Sequence, residues 1–219
     1  MADGSTKDTL ERLFAAEREA RRIHDELAGG DRTAVMAAVV AAIGESDRLE
    51  EVEATTRLVC AARLLGEFEG PEVADALIDI LNKDQPEVRS EAGDQLQGLA
   101  YDRFKEVALA VERALGRLGV GSNALVELPY LLTEIPEPGV VTLLAKFLAH
   151  DDPDGVAAAI EALVEVGDPS AVGALEKLRD DKRKTRLGDE EELEGGDVTV
   201  GELAEEAIQL LQAMEEHGE

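Results

Sequence analysis

Residues able to do covalent or metal chemistry are few in this 219-residue chain. Cys60 is its one thiol, and His24, His150 and His217 are its three imidazoles. No HExxH or CxxC pattern joins them, and a zinc site needs three or four such ligands brought together. Cys60 stands in Arg57-Leu58-Val59-Cys60-Ala61-Ala62, and its apolar neighbours predict a buried thiol that behaves as a small hydrophobe. A reactive thiolate would instead need exposure beside positive charge. His150 lies between Leu148-Ala149 and Asp151-Asp152 and reads as a cation at the C-terminal end of a helix. The pairs Asp151-Asp152 and Asp180-Asp181 lack the spacing of a calcium loop, so helix capping and solvation are expected of them. Gly116-Arg117-Leu118-Gly119-Val120-Gly121 is rich in glycine, but it follows a helix and has no Lys-Ser/Thr. It reads as a helix end and turn rather than a phosphate loop. No catalytic residue, cofactor or metal is expected.

Charge narrows the partners. Asp plus Glu number 49 against 22 Lys plus Arg, a formal charge of −27. Nucleic acids and anionic membranes both demand a basic face, so neither is an expected partner. One segment is out of character. Lys177, Arg179, Lys182, Arg183, Lys184 and Arg186 place six cations in ten residues, and Asp189, Glu190, Glu191, Glu192 and Glu194 follow. Either these cations stabilise the end of a helix ahead of a solvated loop, or they form a docking element for an acidic partner or a phosphate. The N-terminus has no apolar segment of the secretory kind, and the longest apolar run, Ala34 to Ile43, is too short to span a bilayer. A cytoplasmic protein is expected. Lysine is scarce, seven against fifteen Arg, and such acidity also suits a cytoplasm of high salt.

The elements that carry these residues are announced by proline. Pro71, Pro86, Pro138, Pro153 and Pro169 sit where helices would begin, since the first helical position has no use for an N–H. Asp152 and Asp168 precede two of them as N-caps. The spacings are 15, 52, 15 and 16 residues, and 15 or 16 fits one helix and a short turn. Six residues after each proline stand Leu77, Ala92, Leu144, Ala159 and Leu175; ten after stand Leu81, Leu96, Leu148, Leu163 and Arg179. Large and small residues alternate at the first position, so the unit is a pair of unlike helices about 31 residues long. Helices are predicted near 5–28, 32–44, 48–67, 71–82, 86–99, 102–118, 122–134, 138–149, 153–166, 169–180 and 200–216. Asp47 and Glu50 suggest a capping box for the third. Pro129 threatens to split the helix at 122–134. No sheet is expected, for no stretch sustains a two-residue alternation. Leu10, Leu13, Phe14 and Ile23 give the first helix one broad apolar face, and Leu203, Ala207, Ile208 and Leu211 do the same for the last.

The stretch from Leu64-Leu65-Gly66-Glu67 through Pro71-Glu72-Val73, Leu77-Ile78, Leu81, Pro86-Glu87-Val88-Arg89, Ala92 and Leu96 resembles a HEAT repeat of the short type found in phycobilisome lyases. The outline recurs from Pro138 to Val166 and restarts at Asp168-Pro169. The resemblance is clear over residues 64–100 and 131–180, and the repeat at 102–134 is the most degenerate. It implies an all-α, right-handed solenoid of ten or eleven helices, with the second helix of each pair lining a concave side. Arg89 matches the family's characteristic arginine, and Val156 or Ala157 stands at the equivalent place in the next clear repeat. The expected organisation is one domain over 1–219: an N-terminal capping helix to residue 30, repeats over 31–180, a charged loop over 181–199 and a C-terminal capping helix over 200–217.

Most proteins of this resemblance are scaffolds or adaptors. The expected function is therefore a non-catalytic module, monomeric when free, presenting an acidic groove to a basic protein partner. The residues expected to meet that partner are Arg89, Glu91, Asp94, Gln95, Glu161 and Glu165 on the inner helices, with Lys182, Arg183, Lys184 and Arg186 in the basic segment. Two alternatives stay open: an enzyme of the same repeat family, lyase-like, using Cys60 or His150, and an acidic inhibitor or immunity protein that mimics nucleic acid.

Overall fold

The computed structural model describes residues 2–185 and 198–218. Arg186 and the acidic run that follows it lie outside the described residues. Ten α-helices are present among those described: α1 (Ala2–Ala28), α2 (Arg32–Glu45), α3 (Glu51–Leu65), α4 (Pro71–Leu81), α5 (Pro86–Leu115), α6 (Asn123–Thr133), α7 (Val140–Phe147), α8 (Pro153–Val166), α9 (Val172–Leu175) and α10 (Val200–Gly218). None is long and apolar enough to cross a membrane.

Proline and aspartate start these helices as their chemistry requires. Pro71, Pro86 and Pro153 occupy the first turns of α4, α5 and α8. The carboxylates of Asp31, Asp152 and Asp168 accept backbone N–H groups from Ala34, Gly155 and Ser170 at 2.9, 2.6 and 2.8 Å. Pro138 falls in the turn before α7 instead, and Pro169 opens a 3-10 turn.

Packing follows the repeat. All the apolar residues six and ten positions after the prolines are buried, Arg179 alone being exposed. They belong to one continuous core that runs from Val35 in α2 to Leu211 in α10. Cross-helix polar contacts show how the helices are ranked. Arg113, late in α5, and Arg117, in the turn after it, hold Asp75 and Asp79 of α4 at 2.9 and 2.5 Å, and Lys146 of α7 holds Glu112 at 2.5 Å. Arg63 of α3 holds Glu91, early in α5, at 2.8 Å; Arg89 holds Glu127 of α6 at the same distance; Tyr130 of α6 donates to Glu161 of α8. One row is thus α4, the second half of α5 and α7. The other is α3, the first half of α5, α6 and α8, with α10 packed beside α8. Helices alternate between the rows, which is the architecture of an all-α solenoid.

Several local expectations are corrected. The two helices foreseen at 86–99 and 102–118 are merged across a kink at Arg103 (φ −139°, ψ 49°), where the chain passes from one row to the other. Neither Gly nor Pro interrupts residues 99–104, so one non-helical residue makes the whole change of direction. Pro129 does not split α6. It withholds an N–H from the Leu125 carbonyl, and α8 comes so close there that a Cβ on Gly155 would lie 3.2 Å from that oxygen. The helix foreseen at 169–180 is broken into two 3-10 turns around α9, which carries Gly173, yet it still buries Ala171, Leu175 and Leu178. The box at Asp47 and Glu50 does not form: Glu50 caps α3 without a side-chain bond, and Asp47 reaches Lys83 at 2.6 Å.

The ends of the charged segment form a two-stranded antiparallel ribbon, β1 (Lys184–Thr185) with β2 (Val198–Thr199). Two residues per strand are too few for any alternation to show in sequence. β2 leads straight into α10, which opens with a reciprocal box. The Glu202 carboxylate accepts the Thr199 N–H at 2.8 Å, and the Glu202 N–H donates to Thr199 Oγ1 at 3.2 Å. This box holds the Glu202 carboxyl below its ordinary range, chiefly through the Thr199 hydroxyl.

The first helix departs most from expectation. Leu10, Leu13, Phe14, Ile23 and Leu27 are all between 42% and 62% exposed. Among the described residues α1 meets the body near its end, where Ala28 packs on the core and His24 lies 3.4 Å from Glu67. Among the described residues the apolar face formed by Leu10, Leu13, Phe14, Ile23 and Leu27 stays open to solvent, where a capping helix was expected to bury it.

Candidate binding face

The row formed by α3, the first half of α5, α6 and α8 carries most of the residues singled out from sequence. Arg89 sits one turn into α5 because Pro86 starts the helix there. Its guanidinium is bound on three sides: Nε donates to Glu127 Oε1 at 2.8 Å, and Nη1 donates to the carbonyls of Asp84 and Lys83 at 2.6 and 3.3 Å. A cation there satisfies the carbonyls of the turn after α4 and bridges to the next helix. Glu91 is mostly covered. It takes Arg63 on one oxygen and the Gln95 amide on the other, at 2.8 and 3.0 Å. Gln95 lies across Gly66, where a Cβ would collide with its Oε1. Glu161 accepts the Tyr130 hydroxyl. Asp94 and Glu165 are exposed.

Between α5 and α6, Arg89 and Asp94 border a shallow cavity of about 450 Å³. Arg89, Asp94, Glu127, Tyr130 and Glu134 line it, three carboxylates against one guanidinium. Asp94 and Glu134 make no ion pair among the described residues. Burial raises the Tyr130 phenol above its ordinary range, and the bond to Glu161 and the charges of Glu161, Glu127 and Glu165 raise it further. Tyr130 therefore remains a neutral donor, and its side chain borders this cavity.

Sequence reasoning missed Arg63, Glu127, Tyr130 and Glu134. The signal lay in their separations: Glu127 follows Arg89 by 38 positions and Glu161 follows Tyr130 by 31, each about one repeat. Degeneracy of the repeat at 102–134 hid it.

The basic segment is placed elsewhere, beside α8 and α10. Arg183 holds the Asp181 carboxylate at 2.6 Å and the His150 carbonyl at 2.6 Å, so it ties the segment to the body. Arg183 keeps the Asp181 carboxyl below the usual range, and Asp181 in turn raises the guanidinium. Thr185 is buried and its Oγ1 lies 2.8 Å from Asp154 Oδ1, at the start of α8. Lys182 and Lys184 are exposed and border a wide hollow of about 850 Å³ against Glu202, Glu205 and Glu206. Two other hollows, about 620 and 560 Å³, share Asp47, Lys83, Asp84 and Gln85 near the turns after α2 and α4. Their lysine is already held by Asp47.

The residues weighed for catalysis are scattered. His150 has both ring nitrogens engaged: Nε2 lies 3.2 Å from the Leu118 carbonyl and Nδ1 accepts the Asp152 N–H at 3.0 Å. Cys60 is exposed, not buried. Burial in α3 follows Leu58, Val59, Ala61, Ala62 and Leu65, which leaves Arg57, Cys60 and Arg63 as an outward stripe at intervals of three. Arg57 pairs with Glu53 and Arg63 with Glu91. Among the described residues, no group of three His, Cys, Asp or Glu side chains is arranged to hold a metal.

A family model described as HEAT repeats matches residues 94–193. No curated protein matches the chain. Among solved structures, computationally designed armadillo repeat proteins for modular peptide recognition align over 89% of this chain and 92% of theirs, at 14% identity and a TM-score of 0.34. An engineered protein aligns over 89% of each chain at 19% identity, and a further designed armadillo repeat protein over 87% and 98% at 15%, both with a TM-score of 0.32.

Proposed function

We propose that this chain is a single-domain, non-catalytic interaction module that receives a basic segment of a protein partner in the groove between α5 and α6. The observation that carries the reading is the composition of that groove. Asp94 and Glu134 are exposed and unpaired among the described residues, Glu127 shares only one oxygen with Arg89, and Tyr130 stands between them. An arginine or lysine entering the groove gains two carboxylates and a ring able to take a cation–π contact. The neighbouring pairs Arg63–Glu91 and Tyr130–Glu161 hold the helices in register, so the groove needs little reordering on binding. The body's negative charge speeds encounter with a basic partner and makes it salt-dependent. The short helix spacing also supports placing the repeats with the short HEAT type of the phycobilisome lyases, as a matter of architecture and not of lyase chemistry.

Calorimetric titration with an oligoarginine peptide tests this. Asp94→Asn with Glu134→Gln is expected to weaken binding about tenfold, while the charge-matched pair Glu215→Gln with Glu216→Gln on α10 changes it less than about twofold. Equal losses from both pairs would mean that net charge alone attracts the peptide and that the groove is no site.

A further inference from the structure

We infer that α1 pairs with α1 of a second copy of this chain, antiparallel, about a two-fold axis near Arg18. This goes beyond the groove reading and is independent of it. It also departs from the free monomer expected from sequence, because the apolar face of α1 is uncovered among the described residues.

The stripe has the period of a helix–helix seam. Thr9, Leu13, Ala16, Ala20, Ile23 and Leu27 follow one another at intervals of four and three, and all are exposed. A 27-residue helix that lies against its own body only at its end has little tertiary packing to hold it, and protein helices owe most of their stability to such packing.

The stripe is complementary to itself in one register. In an antiparallel pair each seam residue meets the one whose number completes 36. Leu13 then meets Ile23 of the other copy, Ala16 meets Ala20, and Leu27 meets Thr9 with Leu10 beside it. Small residues sit at the axis, where the helices come closest, and large ones flank them. Charge agrees. Arg12, which has no ion pair among the described residues, comes opposite Glu26 of the other copy on both sides of the axis. Glu17 and Glu19 approach their own counterparts near the axis, but each is already paired on its own helix, with Arg21 at 3.4 Å and Arg22 at 2.7 Å.

The rest of the molecule selects this orientation. Residues 2–28 hold five basic and seven acidic groups, so nearly all of the −27 charge belongs to the body. Parallel pairing would set two acidic bodies side by side. Antiparallel pairing sets them at opposite ends of the seam, about 27 Å apart for the eighteen steps from Thr9 to Leu27 and well beyond the Debye length of about 8 Å at physiological salt.

Sedimentation of the full chain across a concentration series tests the inference. The wild type is expected to reach twice the monomer mass. Ile23→Glu, which places a carboxylate in the seam, is expected to raise the dissociation constant at least about a hundredfold with an unchanged circular dichroism spectrum apart from α1. Arg12→Glu alone should weaken the dimer, and Arg12→Glu with Glu26→Arg should restore it, a result no general loss of folding can mimic. Added salt should leave the dimer intact while releasing oligoarginine from the groove, so the two readings fail separately. A wild type that stays monomeric at high concentration, a dimer indifferent to Ile23→Glu, or a charge swap that fails to restore pairing each overturns the proposal.

Discussion

Asp152 is one of very few buried polar groups in the described residues, 2% exposed, and its replacement tests how the repeats are joined. Oδ1 accepts the Gly155 N–H at 2.6 Å and caps α8; Oδ2 accepts the Gly121 N–H at 2.5 Å and fixes the turn after α5. Asp152→Ala removes an N-cap, which costs about 0.5–2 kcal/mol, and a charge-assisted bond to the turn, worth about 1.5–3 kcal/mol when its partner is left unmatched. Gly121 is exposed, so water recovers part of the second loss. The net expectation is about 2–4 kcal/mol. At about 2–4 °C per kcal/mol for a chain of this length, the melting temperature should fall by about 4–16 °C. Asp152→Asn keeps one acceptor and turns an amide N–H toward a second donor, so it should fall between wild type and Asp152→Ala. Urea unfolding followed by circular dichroism measures all three. If both variants unfold within about 0.5 kcal/mol of wild type, the carboxylate is not the joint between α5 and α8, and the argument from its two bonds fails.

Other expectations concern the core, the close helix contact and the basic segment. Leu96→Ala and Leu144→Ala, both fully buried, should each cost about 2–5 kcal/mol in urea unfolding. Gly155→Ala forces a Cβ to 2.9 Å from Leu125 and should cost about 1–3 kcal/mol, whereas Gly173→Ala meets nothing within 4 Å and should be close to neutral or stabilising. Equal effects from the two glycines would refute the close approach of α8 to α6. Arg183→Ala should lower the melting temperature at pH 7 and by less in acid, where only its bond to the His150 carbonyl remains to be lost. The Asp181 carboxyl is held low by Arg183, so its contribution is present above the ordinary carboxylate range near pH 4 and is lost as pH falls through the lowered folded value. A difference between variant and wild type that is the same at pH 7 and at pH 2 would contradict the pairing.

Much of the scaffold was legible because the signals were local. Pro153 behind Asp152 starts α8 whatever lies around it, since an N-cap and a proline at the first position act within one turn. Leu77, Leu96, Leu144 and Leu163 declare a buried face through their spacing alone, and all are buried. The same local reasoning over-read the chain where two elements compete for a residue. Asp47 has the type and place of a capping residue for α3, yet Lys83, 36 positions on, holds it instead. Cys60 has apolar neighbours in sequence, but which side of α3 faces inward is set by α4 and α5, and they leave the thiol with Arg57 and Arg63 outside.

The candidate face was half legible. Arg89, Glu91 and Glu161 stand at polar positions of predicted inner helices, while their partners Glu127, Arg63 and Tyr130 come from neighbouring repeats. Only stacking at the repeat distance makes a site of them. α1 shows the converse. Its apolar stripe is written in the sequence and asks for a cover, but only the tertiary structure shows that the described part of the body leaves it open. Order along the chain, helix starts and buried spacing are properties of short segments, so composition and periodicity determine them. Pairings across 30 or 40 positions, and the fate of a face that meets no partner, depend on how the helices are placed in space, and that is decided only when the whole row is packed.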